Sequence, residues 1–197
     1  MRHLWMLTAT AFFVLACALD TIAAEPKQDA NEAKPDFKKV DFKFIIKKKT
    51  KKDFARSYYD DNKLEVLYFY PKLTSRLKVA IKDYKLLVYI IGQSVDNKKV
   101  FSLLEIATYD LNIPMGKKTF EPKERTFSTR YDKENEWRGS DRGFKYYSYI
   151  IVAKDPSGAI VYKRSSKSLF NKILDPIFKY KKGTVFDNKG QEIKRYP

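Results

Sequence analysis

Most of the chain alternates between apolar and polar positions with a period of two, which is typical of half-buried β-strands. In "KVDFKFIIK", Val40, Phe42 and Phe44 fall on one face, while Asp41 and Lys43 fall on the other. The segment "LLVYII" is apolar on both faces and indicates a central strand. Further segments that predict strands are 63–71, 76–83, 100–111, 126–132 and 143–155.

Turn and helix signals separate these strands. "SVDNKK" and "DPSG" predict tight turns, and "GTVFDNKGQEIKRYP" predicts a terminal hairpin around residues 187–190. One short helix is expected at 166–175, with a serine at its start and Pro176 at its end. The pattern predicts an all-β, mainly antiparallel β-sandwich, immunoglobulin- or fibronectin-like in style. A small, partly open β-barrel is the alternative.

The N-terminus predicts export. Residues 1–24 combine Arg2, an apolar stretch from Leu4 to Leu19, and small residues at Ala23 and Ala24, which is the pattern of a signal peptide. The alternative is a lipoprotein box at 14–17, "VLAC", in which Cys17 would be lipidated. We therefore expect a periplasmic or secreted protein, lipid-anchored in the second case, without a transmembrane helix after signal removal. Residues 25–37 are expected to form an unpacked tether, and 38–197 a single domain.

Removal of a signal peptide restricts the catalytic and metal-binding side chains that remain in the mature chain. Cys17 and His3 are the only cysteine and histidine, and both precede residue 25. A mature chain without them has no disulfide, no Ser-His-Asp or Cys-His nucleophile, and no imidazole or thiolate zinc site. No glycine loop suited to phosphate occurs after the signal, and no pair of carboxylates stands out. The sequence thus predicts a protein that is not an enzyme and has no cofactor.

The densest charge lies in "KKKTKK", within a chain of net charge +16. Lysine accounts for most of the 40 Lys and Arg residues, and lysine binds anions as a hydrated point charge without the bidentate geometry of arginine. One interpretation is a solvated loop whose charges protect the edge of the first strand from pairing with another chain. The other is an anion-docking cluster, made of Lys47, Lys48, Lys49, Lys51, Lys52 and Arg56.

A second candidate site is the predicted loop "YDKENEWRGSDRGF". Trp137, flanked by Arg138 and Arg142, could offer an aromatic platform to a sugar ring or peptide. Alternatively, Trp137 covers one end of the sandwich. "DKENE" has carboxylates at alternate positions, but the glycine and the closing glutamate of a calcium loop are missing, so no metal site is predicted.

These features predict a non-catalytic, exported interaction module of the cell envelope or extracellular space. Its expected partner is an anionic polymer, a membrane surface or an envelope protein, bound through lysines, without sequence-specific recognition of nucleic acid. One alternative is a structural or assembly subunit that acts through a β-edge. A second alternative is a small glycan-active enzyme that uses carboxylates.

Overall fold

The computed structural model describes residues 35–52, 62–132 and 142–194. The strands are β1 (Val40–Lys52), β2 (Asn62–Leu77), β3 (Ile81–Ser94), β4 (Val100–Ile113), β5 (Gly116–Phe120), β6 (Arg125–Asp132), β7 (Arg142–Lys154), β8 (Ile160–Ser165) and β9 (Val185–Asp187). Two short helices, α1 (Ser168–Asn171) and α2 (Leu174–Ile177), follow β8, and a 3-10 turn, Phe37–Lys39, precedes β1. No helix in these described ranges is long and apolar enough to span a membrane.

The described strands form one open sheet in the order β1-β2-β6-β7-β3-β4-β9, with β5 beside β2 and β8 beside β7. Every strand pair is antiparallel. The predicted all-β, antiparallel class is confirmed. Because β1 and β9 lie at opposite ends of the path, the described strands do not close into a barrel.

The sheet has two halves, which meet at a short contact between β6 and β7. Among the described residues, two register pairs join these strands, Tyr131 with Gly143 and Asp132 with Arg142. Beyond this contact, side chains of the two halves face each other, as in a sandwich. Phe42 on β1 stacks on Tyr162 of β8, with the ring centroids 5.0 Å apart. Phe44 on β1 lies 5.0 Å from Tyr149 of β7. The main core fills the space between the halves.

A second core lies on the other face of the β3–β4–β7 half. Phe101 and Phe186 from strands contact Phe170 of α1, and Ile177 of α2 is fully buried with them. The predicted helix at 166–175 is therefore two single turns. Pro176, expected to end the helix, lies in the first turn of α2, where its missing N–H removes no helical hydrogen bond.

Two strand boundaries differ from the prediction. β2 continues through Pro71, which lies between the part of β2 paired with β6, ending at Phe69, and the part paired with β5, starting at Leu73. A residue without an N–H fits at this interruption of the ladder. The predicted strand 76–83 is instead a crossing point, because β2 ends at Leu77 and β3 begins at Ile81 in the other half of the sheet.

The predicted tether 25–37 was wrong at its last residue. Phe37 is buried, and its ring centroid lies 5.4 Å from that of Tyr84 and 6.3 Å from that of Tyr162. An aromatic side chain of this size gains about 2 kcal/mol or more by leaving water, so it packs although its polar neighbours do not. Residues 25–34 lie outside the described ranges.

Candidate functional site

The lysine cluster lies on a strand, because β1 runs without interruption to Lys52. The prediction of a loop at "KKKTKK" was wrong. β2 is long enough to pair with β1 along its whole length, up to Lys52 opposite Lys63, and the backbone ladder extends the strand through residues without apolar side chains. β1 is also the end strand of the sheet. Its lysines therefore line a sheet edge, as the edge-protection interpretation requires.

The extended backbone divides the lysines between two faces. Lys43, Ile45, Lys47, Lys49 and Lys51 alternate on the outer face and are exposed. On β2, Tyr68 and Tyr70 lie beside them on the same face, since Lys47 is paired with Tyr68 and Ile45 with Tyr70. We call these seven residues the lysine–tyrosine face.

Two lysines of this face are positioned over tyrosine rings. Lys47 Nζ lies 5.4 Å from the ring centroid of Tyr70, and Lys49 Nζ lies 5.6 Å from that of Tyr68. Cation–π contacts at exposed sites contribute about 0.5–1 kcal/mol and restrict the long lysine side chains. Partial burial, together with a hydrogen bond to Glu124, raises the pKa of Tyr70 above its ordinary value. The result is an ordered row of ammonium groups above aromatic surface.

Lys48 is not part of this face. It points inward, and its Nζ lies 2.9 Å from Oε1 of Glu65, a carboxylate with 0% exposure. The backbone N–H of Tyr146 donates to the other oxygen of Glu65 over 2.6 Å. The hydrogen bond to Glu65 raises the pKa of Lys48, while desolvation acts in the opposite direction. Lys48 is therefore the half-exposed partner of the buried Glu65 within the β1–β2 pair, while the hydrogen bond from Tyr146 links Glu65 to β7 in the other half of the sheet.

Of the other predicted site residues, the structure describes Lys52 and Arg142. Lys52 is exposed at the end of β1, and Arg142 begins β7, opposite Asp132. Arg56, Trp137 and Arg138 lie outside the described residues. The aromatic platform at Trp137 stays a prediction.

Residues 14–148 match the sequence profile of a family described as amylo-alpha-1,6-glucosidase. This match covers more than half of the chain. The chain belongs to the amylo-alpha-1,6-glucosidase family. The match to this family begins inside the predicted signal peptide and ends within β7, so it leaves out β8, both helices and β9.

One solved structure similar to the chain is a crystal structure of a protein from Akkermansia muciniphila. The two share 14% sequence identity over 72% of this chain and 77% of that one, with a TM-score of 0.28. No match is found among curated proteins.

Three glutamates of this family member, carboxylates of the kind that a glucosidase site requires, form ion pairs with lysines. Glu65 is paired with Lys48 as described above. Glu105 is paired with Lys182, and Glu121 lies 2.7 Å from Lys72. No cluster of three or more acidic, His or Cys residues with metal-binding geometry occurs among the described residues. The ion pairs give these three carboxylates electrostatic partners within the protein.

Sequence reasoning missed Tyr68 and Tyr70 as part of the candidate site. Their strand was predicted, and alternation places them opposite the buried Leu67 and Phe69. The sequence did not reveal which strand pairs with β1. The pairing of Lys47 with Tyr68 joins residues from two separate strands. Only the register brings the lysines over the tyrosines.

Proposed function

We propose that this chain is an exported, non-catalytic module that binds an acidic polysaccharide through the lysine–tyrosine face. The observation that carries the proposal is the row of exposed lysines on an edge strand, two of them held over tyrosine rings. Export is supported by the signal-peptide pattern of residues 1–24, with Cys17 as the alternative lipid anchor.

The spacing of the charges supports a linear polyanion as ligand. Alternate residues of a strand are about 6.8 Å apart, so the four lysines from Lys43 to Lys51 extend over roughly 27 Å. Lysine side chains adapt to uneven spacing of anions because the ammonium group has no fixed directional fork. The tyrosine rings beneath Lys47 and Lys49 hold these ammonium groups in a row, so that successive anionic groups of one polymer chain can contact them. Such a face should select a polysaccharide by its density of negative charge. The order of the sugar units should have little effect on binding.

The test is binding of the chain to an acidic polysaccharide at about 50 and about 200 mM salt. If four lysines each displace one counterion, the binding constant should fall roughly 100-fold between these concentrations, as for phosphate contacts on DNA. Replacing Lys47, Lys49 and Lys51 with glutamine should remove most of this dependence and weaken binding at least 10-fold at the lower salt. Isothermal titration calorimetry measures both quantities.

A matched control removes three charges elsewhere. Lys172, Lys179 and Lys181 are exposed near the helices, away from β1 in the sequence. Their replacement with glutamine gives the same net charge as the β1 variant. Equal losses in the two variants would contradict a site on β1 and leave only general attraction to a basic protein. Tighter binding to single-stranded DNA than to the polysaccharide would contradict the ligand class.

The second candidate function is glycoside hydrolysis, favoured by membership in the amylo-alpha-1,6-glucosidase family. This reaction ordinarily requires two carboxylates about 5–9.5 Å apart, one of them protonated. We expect no hydrolysis that depends on Glu65, Glu105 or Glu121, because each of them is paired with a lysine. Incubation with an α-1,6-linked glucan oligomer, followed by chromatography of the products, tests this. Release of glucose that persists after repeated purification would establish the enzyme and contradict the binding module.

A further inference from the structure

A basic groove lies between the start of β1 and strand β8, and it shares only Lys43 with the lysine–tyrosine face. Its volume is about 690 Å³, within the range of small-molecule sites. The described residues that line it are Lys38, Lys39, Val40, Asp41, Lys43, Thr74, Arg76, Tyr162 and Arg164. Five of these side chains are cationic and one is anionic.

The charges in the basic groove are unevenly compensated. Lys39 lies 3.8 Å from Asp36, and Lys43 lies 3.5 Å from Asp41. Arg76 and Arg164 have no carboxylate within ion-pair distance among the described residues. Arg76 belongs to β2 and Arg164 to β8, so the groove is bordered by one free guanidinium from each half of the sheet. Two guanidinium groups facing one space suit an anion with several oxygens, because each can donate two parallel hydrogen bonds.

One wall of the basic groove is aromatic. Tyr162 is stacked on Phe42 at a centroid distance of 5.0 Å and an interplanar angle of 15°, which fixes the orientation of its ring. A smaller cavity of about 220 Å³ also borders Arg164 and continues past Phe42 and Tyr149. A ligand with its anionic end at the arginines therefore has Tyr162 next to it, whose ring is held in place by stacking contacts with Phe42 and Phe37.

We propose that the basic groove binds a sugar phosphate, with the phosphate between Arg76 and Arg164 and the sugar ring against Tyr162. A free phosphate would use the arginines but leave the aromatic wall without a contact. A neutral sugar would leave two uncompensated guanidinium groups in the site. Because the arginines and the aromatic wall border the same groove, they together select a ligand that carries both a phosphate and a sugar ring. The arginines and Tyr162 of this site lie outside the lysine–tyrosine face, and only Lys43 borders both.

Calorimetry of the full chain at about 150 mM salt tests the proposal, with glucose 6-phosphate, inorganic phosphate and glucose as separate ligands. Glucose 6-phosphate should bind most tightly, inorganic phosphate at least 5-fold more weakly, and glucose without measurable heat. Arg164→Met and Arg76→Met should each weaken glucose 6-phosphate binding about 10-fold or more, as expected for the loss of a charge-assisted, bidentate contact. Lys189→Met, at an exposed position outside the groove, removes one charge as the matched control.

Arg76→Lys and Arg164→Lys keep the charge and remove the bidentate geometry, so they should weaken binding by a smaller factor than the methionine variants. Circular dichroism confirms that each variant is folded. Equal affinity for inorganic phosphate and glucose 6-phosphate would overturn the sugar subsite. Binding that survives both arginine replacements, or that is lost in the Lys47, Lys49 and Lys51 variant instead, would overturn the groove. No binding of either phosphate at millimolar concentration would overturn the proposal as a whole.

Discussion

Gly143→Ala is expected to lower the free energy of unfolding by about 3–5 kcal/mol, from backbone strain and steric overlap together. Gly143 has φ +94°, which alanine rarely adopts. A Cβ at this position would lie 2.6 Å from the carbonyl oxygen of Arg130 and 2.8 Å from Cα of Tyr131. These are backbone atoms of β6, so relief requires the two strands to separate at the contact that joins the halves of the sheet.

Gly158→Ala is the matched control for this prediction. Gly158 has a similar φ of +87°, but nothing lies within 4 Å of a Cβ placed there. In this variant only the strained backbone conformation should lower the free energy of unfolding, by about 1–2 kcal/mol. Urea unfolding, followed by tryptophan fluorescence and circular dichroism, measures both variants. Equal losses of stability in the two variants would show that the close approach of β6 is not what restricts position 143 to glycine.

Lys48→Met is expected to lower the free energy of unfolding by about 2–3 kcal/mol. Removal of one partner of a buried ion pair costs about 3–5 kcal/mol, and the half-exposed position of Lys48 reduces this value. The loss arises because Glu65, fully buried, then has only the N–H of Tyr146 as a described hydrogen-bond donor. The neighbouring variant Lys47→Met, on the exposed face, should change stability by at most about 1 kcal/mol, the value of its cation–π contact with Tyr70.

The double variant Lys48→Met with Glu65→Gln separates charge from packing. Glutamine can still accept the hydrogen bond from Tyr146 N–H, but it carries no charge that needs a cation. Most of the lost stability should return in a double-mutant cycle measured by urea unfolding. If the double variant is as unstable as the sum of the single ones, Lys48 and Glu65 act independently and the ion pair does not stabilise the sheet. Binding of the acidic polysaccharide should be preserved in Lys48→Met, since its side chain lies outside the lysine–tyrosine face.

The local pattern was sufficient for much of the fold. Alternation in β1 correctly placed Val40 and Phe42 inside and Lys43 outside, because the period of a strand depends only on its own backbone. The turn at 155–158 was also predictable, since Asp155 accepts hydrogen bonds from residues within its own turn. By contrast, the end of β1 at Lys52 depends on the length of β2, which no property of the lysines themselves reveals.

The candidate site shows the same division. Exposure of Lys47, Lys49 and Lys51 follows from their charge and alternation, and the sequence by itself determined that a strongly basic, β-rich surface would exist. The tertiary structure decided that Lys48 pairs with Glu65, that tyrosines lie beneath the lysines, and that Arg76 and Arg164 share a groove. The physical reason is register: the ladder between strands joins residues distant in sequence, and a shift of one position would exchange the two faces.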